Sequence, residues 1–525
     1  MLLEAVAAVT LGLLAGSGPG AGTEDQRPGS LEAGKEAKTS VAGPDGGVAD
    51  EPRGADDGPA RSRSTTDDPD LARIPEMPGG IDSATREEPV SAEKTSDAGP
   101  PGKANGGIRT KNSLQSATQV TALRSPPFPA PPPGPPEWAQ HFLLDSQGGL
   151  DLASRLQFVW AIHGDLRAEQ DLPFPSHENV RLDVRELHLD WQAIPNLFLT
   201  AGRVNLRRGV ALGFNPTDLF RTKAVVEPLS NDPAVLRDTR LGTVALRLQW
   251  LWEGGGASIT YSPRLATARP VYSRLTLPSL DPMLDRTNDA HRVVASISEE
   301  WSNGFNAELI GGYDGMHPRI GANLSYGLGA SVVAYLEWSG GPRPGLIHAA
   351  LEYGRRTGTL PPRAPSPIPD DAPLSFQNDL AAGLSYTAFG RLTLNMEYHF
   401  HQAGLSRAEW KAWFDTGVAS GNASTQAVLW YIRGYASEQQ EPASQHYAFL
   451  RADWPDFAIL DLELTGLVLL NLQDGSVLTQ LSADYYLSSK WTVGVLVAVN
   501  LGSSRSEFGS LADAVSALFK VSRYF

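Results

Sequence analysis

The chain has 525 residues, no cysteine and a formal net charge of −15 at pH 7, which excludes thiolate metal sites, a cysteine nucleophile and, for the residues given, a thiol-linked lipid anchor. The acidic balance argues against nucleic acid, whose binders cluster Lys and Arg to displace phosphate counterions. No window supplies the ~18 uninterrupted apolar residues of a membrane-spanning helix, so a membrane protein of this composition has to be a closed β-barrel, the other architecture that satisfies its backbone in lipid.

In chain order, Met1 to Gly16 form a short apolar run, followed by small residues as far as Gly22. The run is too short to span a bilayer and fits a secretory signal over 1–22. Glu4 stands where such signals carry Lys or Arg, and a start further upstream or a short buried helix fits the same residues. Over 23–137 Gly, Pro, Ser and charged residues dominate without apolar periodicity. No core offsets the ordering entropy there, so a disordered arm is predicted. It closes on the proline-rich stretch Pro126–Pro136, which favours a semi-rigid, extended spacer.

From Trp138 to Phe525 the pattern becomes stretches of ~10 alternating residues separated by turns, the signature of strands in a closed membrane barrel. Val244, Leu246, Leu248, Trp250 and Trp252 alternate with Ala245, Arg247, Gln249 and Leu251; Leu392, Leu394, Met396, Tyr398 and Phe400 alternate with Thr393, Asn395, Glu397 and His399. Strands are predicted near 154–166, 180–192, 197–206, 241–252, 257–263, 291–301, 305–313, 318–326, 330–339, 377–387, 391–400, 446–454, 458–470, 477–487, 491–500 and 512–525. Short links alternate with generally longer ones, and the even count of about sixteen is what a bacterial barrel requires. Leu346–Tyr353 and Gln426–Arg433 are placed inside long loops, and Ser406–Phe414 is read as a short amphipathic helix at the mouth. In this register Trp191, Trp252, Trp301, Trp454 and Trp491 fall at the short-turn ends of strands and Trp338 at the opposite ends, all on the apolar face. Two rims of aromatics are the interfacial girdles of a transmembrane barrel, whereas a soluble sheet would bury its aromatics centrally. The fold class is therefore all-β, an antiparallel up-and-down barrel of about sixteen strands over 138–525 behind a disordered arm.

The opposite parity carries Arg247, Glu308, Arg319, Glu397, Asp461, Glu463 and Asp484. A lining of both signs is costly against lipid and tolerable in an aqueous lumen. Acids outnumber bases, which favours cations mildly. Arg203, Arg207, Arg208 and Arg221 add positive charge at or inside the pore mouth. They fit either an anion contact in a constriction or pairing with loop carboxylates such as Asp218 and Glu227.

Two segments carry a resemblance. Ala517–Phe525 alternates and ends on an aromatic, with Tyr524 beside Phe525 and Arg523 third from the end; it resembles the closing strand of Gram-negative outer-membrane β-barrels. The segments Arg185–Trp191 and Leu197–Phe220, with a Gly-Arg strand end and a Gly-rich, Asn-Pro-containing loop, look like a hairpin of porin-like and alginate-export-like outer-membrane proteins. The resemblance implies an outer-membrane location, Phe525 as the assembly signal read by the barrel-assembly machinery, contact with outer-membrane lipid and a periplasmic arm. It also implies a channel for small polar solutes or ions, with an exporter of an anionic polysaccharide and a non-conducting receptor or adhesin as the alternatives. A homotrimer is compatible with it, and no interface signature chooses between trimer and monomer. Catalysis is not expected: His399 and His401 have no serine placed beside them by a motif, and neither a Gly-x-Ser-x-Gly elbow nor a His-Glu-x-x-His zinc helix is present. No cofactor is expected.

Overall fold

The computed structural model describes residues 108–525, apart from 132–133, 173, 175–178, 227–228, 271–280, 302–303, 371–373 and 389–390. The strands are β1 (Ile108–Leu123), β2 (Trp138–Ala153), β3 (Leu156–Glu169), β4 (Val180–Ile194), β5 (Leu197–Val204), β6 (Thr243–Trp252), β7 (Gly255–Ser262), β8 (Arg292–Trp301) and β9 (Phe305–Tyr313). They continue as β10 (Pro318–Leu328), β11 (Val332–Arg343), β12 (Ser375–Thr387), β13 (Thr393–His401), β14 (His446–Trp454), β15 (Leu462–Asn471), β16 (Val477–Ser488), β17 (Trp491–Leu501) and β18 (Asp513–Tyr524). Each pairs antiparallel with its neighbours in sequence, and β1 closes the ring on β18, with Ser113 opposite Tyr524 and Val120 opposite Ala517. Closure leaves no open edge.

Sixteen strands expected from alternation coincide with β3 to β18; the barrel has two more. β1 lies inside the segment read as a disordered arm, and β2 opens the segment read as barrel, so the barrel begins at Ile108 rather than at Trp138. The proline-rich link is not a free spacer either. Phe128 is buried against Trp413 and Trp430, whose Nε1 donates to the Pro129 carbonyl at 3.1 Å. The signal and the arm over 1–107 lie outside the described residues.

Alternation sorts the side chains into two faces. Trp250 and Leu309 are 61% exposed on the outer face, while Arg247 and Glu308 beside them are buried inside. An apolar outside around a charged inside inverts the soluble pattern and fits a barrel bathed in lipid. Trp191, Trp252, Trp301, Trp454 and Trp491 are exposed on that outer face at the ends nearest the short turns; Trp338 lies half-buried on it in mid-strand rather than at the long-loop end, because β11 runs on to Arg343. Phe525 is exposed, and its backbone N–H donates to the Asn112 carbonyl at 3.0 Å, stitching the last residue to β1.

Helices occupy the long loops on one side: α1 (Pro233–Thr239), α2 (Leu284–Thr287), α3 (Leu346–Thr357), α4 (Arg407–Ser420) and α5 (Ala423–Glu438). α4 starts on a capping box in which the Ser406 hydroxyl accepts from the Glu409 N–H and the Glu409 carboxylate accepts from the Ser406 N–H, and it stops at Gly421 in the left-handed region. Helices α3, α4 and α5 share an apolar core that includes Leu351, Trp410, Trp413, Phe414, Leu429 and Tyr435. The β1–β2 link joins that core through Phe128. The β17–β18 loop meets it through Arg433, which donates to Ser510 Oγ and to the Glu507 carbonyl, and the β7–β8 loop through the Arg286–Glu438 pair at 2.9 Å. Loops from around the ring thus converge into one roof.

Candidate functional site

The β5–β6 connection, residues 205–242, folds inward as a strap across the lumen. Its first half is fastened by carboxylates standing on the inner parity of the wall. Glu337 on β11 accepts from the backbone N–H of Val210 at 3.0 Å, Ala211 at 3.1 Å and Thr217 at 2.8 Å, and from the Thr217 hydroxyl at 2.8 Å. Glu397 on β13 accepts from the N–H of Leu212 at 2.6 Å and Gly213 at 2.9 Å, from the Tyr335 hydroxyl and from His399. Two glycines let the backbone come this close. A Cβ on Gly209, which sits at φ +97°, would stand 2.5 Å from Glu337 Oε2, and one on Gly213 would stand 2.8 Å from the His399 ring. Arg208 completes the fastening with Glu308 on β9 at 3.2 Å and Ser258 on β7 at 2.9 Å.

Past this anchorage the strap crosses to the other side. Asp232 caps α1 by accepting from the Ala234 N–H at 3.0 Å and pairs with Arg451 of β14 at 3.0 Å. The Asn231 N–H donates to Gln480 of β16 at 2.7 Å, and Leu229 packs on Ala117, Leu496 and Leu518. Between the strap and the wall made by β1–β4 and β14–β18 lies a cavity of about 310 Å³. Its carboxylates are Asp145, Asp165, Asp183, Asp232, Glu463 and Asp484, and its cations Arg181, Arg185, Arg451 and Lys520. Six against four leaves a net of −2 with His163 neutral. The facing edge of the strap presents Val225, Val226, Leu229, Val235 and Leu236, interrupted by Ser230, Asp232 and Thr239. The lining therefore sets fixed charges of both signs on the wall opposite the strap.

The expected site residues divide between the two regions. Arg208, Glu308 and Glu397 belong to the fastening. Arg203 is buried at the end of β5 and donates to the carbonyls of Gly242 and Pro282; Arg207 pairs with Asp238 at the surface of the strap. Arg221 bonds the Asn215 carbonyl, lies 5.0 Å over the Phe214 ring and meets Glu441 at 3.5 Å. Arg319 is held by Asp379 at 2.9 Å, and Arg247 is buried on the inner face of β6. Glu463 and Asp484 do line the cavity, Asp484 in a pair with Lys520 at 2.8 Å. Asp461 does not: it sits exposed, at φ +65°, in the turn before β15, because that strand starts one residue later and its inner parity begins at Glu463. Asp218 is a pairing partner as expected, but of Arg240 at 2.7 Å; Glu227 lies outside the described residues. Asp145, His163, Asp165, Arg181 and Asp183 went unrecognised, although the inner parity of β2 to β4 carries them once β2 is admitted.

The roof carries its own polar clasp. Glu441, after α5, meets Arg343 at 2.9 Å. Burial raises its pKa, but Arg343, His401 and Arg221 outweigh burial and hold the carboxyl below the usual range. Glu507 accepts from Tyr447, Ser444 and Asn471, and burial dominates there, raising its pKa.

No family model and no curated protein matches the chain. Among solved structures it is similar to OmpF of Salmonella typhi, at 10% identity over 80% of this chain and 98% of that one, with a TM-score of 0.40. It is also similar to two Pseudomonas aeruginosa proteins, OccK3 (12% identity, 80% and 95% covered, TM-score 0.42) and OccK11 (12%, 80% and 96%, 0.44). By its own strand pairing and faces, the chain is a closed, antiparallel, porin-like membrane barrel with a loop folded through its lumen.

Proposed function

We propose that this barrel is an outer-membrane channel of a Gram-negative envelope through which small polar solutes and ions diffuse passively. The observation that carries the reading is the one-sided fastening of the strap: it fills the lumen along β7–β13 and leaves a charged cavity along the opposite wall. Fixed charges there replace part of a solute's hydration, the strap sets the width, and the net of −2 favours cations. The arginines Arg203, Arg207 and Arg208 act on this reading as fasteners rather than as a selectivity element, which leaves an anionic polysaccharide without a contact to select it. The proposal holds for a monomer or a trimer alike, and it gives the chain no catalytic role and no cofactor.

The roof favours a second reading, a gated or receptor barrel, because its aromatic core ties together loops from around the ring. Planar-bilayer recording of the refolded protein separates the two. Steady conductance with a reversal potential displaced toward cations supports the channel, and deletion of 407–438 should leave it unchanged. A folded, heat-modifiable barrel that conducts only after that deletion establishes a gate, and one that never conducts sinks the channel reading.

A further inference from the structure

Two carboxylate oxygens of the cavity lining make no hydrogen bond: Asp484 Oδ1, which still has the Lys520 charge at 2.8 Å, and Asp183 Oδ1, which has no ion pair of its own. Asp183 on β4 is 3% exposed; its Oδ2 accepts from Arg181 Nε at 2.9 Å, while Oδ1 is buried without a hydrogen-bond partner. A buried carboxylate oxygen is ordinarily paired, so an unpaired one on a residue that lines a cavity marks a place for a donor. The cations lining the cavity are committed elsewhere: Arg185 to Asp145 at 2.9 Å, Arg451 to Asp232, and Lys520 to Asp484; Arg203, behind the lining and within electrostatic reach of Asp183, gives Nε and Nη1 to the carbonyls of Gly242 and Pro282, and its Nη2 makes no hydrogen bond. Asp165, opposite Arg181 on the adjoining strand, adds further negative potential and is itself bonded to His141 at 3.1 Å. Across the cavity stands the apolar edge formed by Val225, Leu229, Val235 and Leu236.

A hydrated inorganic ion has no use for that edge, and an anion meets an excess of carboxylates. We propose that the cavity is a binding subsite for an amphipathic organic cation, an alkylammonium or alkylguanidinium, whose head donates to Asp183 and whose hydrocarbon tail lies along the strap. The inference deepens the channel reading and rests on it for the way in and out, but binding itself is measurable without conduction. A cavity of about 310 Å³ lies at the small end of ligand sites and suits one short chain rather than a sugar polymer.

The test is isothermal titration of the refolded full chain in detergent with hexylammonium, methylammonium and hexanoate, alongside current recordings with the same solutes. Hexylammonium should bind at least about tenfold more tightly than either of the others, because even partial burial of its extra methylenes suffices for that factor. D183N should remove the binding, and Leu229→Ser should narrow the gap between hexylammonium and methylammonium without affecting methylammonium. Equal binding of hexanoate, equal binding of methylammonium, or an indifferent D183N in a barrel that keeps its heat-modifiable migration would overturn the proposal. The wild-type comparison decides even where D183N does not refold. Conduction without hexylammonium binding removes this subsite alone, whereas binding without conduction removes the channel reading and leaves the subsite standing.

Discussion

Removing the Glu337 carboxylate is expected to unfasten the strap while leaving the barrel intact. In Glu337→Ala three backbone N–H groups lose their acceptor inside a site where Glu337 itself is fully buried, while the Thr217 hydroxyl keeps Asn323 Oδ1 at 3.1 Å. At about 1–3 kcal/mol for each buried donor left unmade, and with water able to enter the vacated volume and re-pair about half of the three, the local penalty is about 1.5–4.5 kcal/mol. Glu397 still holds Leu212 and Gly213, so the first half of the strap opens as a unit around that remaining point. Hydrogen exchange of the 210–217 amides should accelerate by at least about tenfold, since ~1.5 kcal/mol is one decade. Single-channel current should rise and become noisier as the lumen widens. Glu337→Gln should fall between, because one carbonyl oxygen still accepts while the new amide N–H faces donors. Unchanged protection over 210–217 together with unchanged conductance in Glu337→Ala would refute the fastening argument outright.

Other outcomes follow from the same contacts. A chain beginning at Trp138 should fail to give a heat-modifiable barrel, whereas one beginning just before Ile108 should refold, because β1 supplies the pairing that closes β2 onto β18. Trp413→Ala should cost the roof about 3–5 kcal/mol, since this fully buried ring touches Phe128, Trp410, Phe414 and Trp430; tryptophan fluorescence should report a roof transition at lower temperature than the barrel's. Glu441, with its pKa depressed in the folded protein, contributes roof stability that is present above its unfolded pKa and lost as pH falls through the depressed value. Acid titration of that transition should therefore show a loss below the usual carboxylate range that Glu441→Gln abolishes. Removal of Phe525 should slow assembly in vivo and cost the folded barrel little, because its ring is exposed and meets the Arg523 guanidinium at 4.8 Å, and its N–H makes one hydrogen bond; pulse-chase assembly against the melting temperature distinguishes the two effects.

How far the sequence disclosed this depends on how apolar each outer face is. β6 and β13 declare themselves because every outward position from Leu246 to Trp252 and from Leu394 to Phe400 is apolar. β1 does not. Its outward parity runs Ile108, Thr110, Asn112, Leu114, Ser116, Thr118 and Val120, and at the seam with β2 Gln140 bonds two of the polar members, accepting from Thr118 at 2.6 Å and donating to Ser116 at 3.1 Å. With the alternation diluted and a proline run directly after it, the segment looks like the arm before it. The candidate site was legible as a list of inward charges, but not as a division of labour. Which carboxylates hold the strap and which face the cavity follows from where one long loop chooses to lie, and its contacts reach over 120 residues along the chain, as from Ala211 to Glu337.

The fastening has a further consequence for variation. The wall grips the strap mainly by amide protons, at Val210, Ala211, Leu212, Gly213 and Thr217, not by what those residues carry. So long as the two glutamates and the glycines beside their grip persist, side chains further along the strap can be exchanged without detaching it. Diversification of the residues facing the passage is thereby uncoupled from retention of the loop, and a library confined to Val225, Val226, Leu229, Val235 and Leu236 would sample transport properties on an unchanged frame.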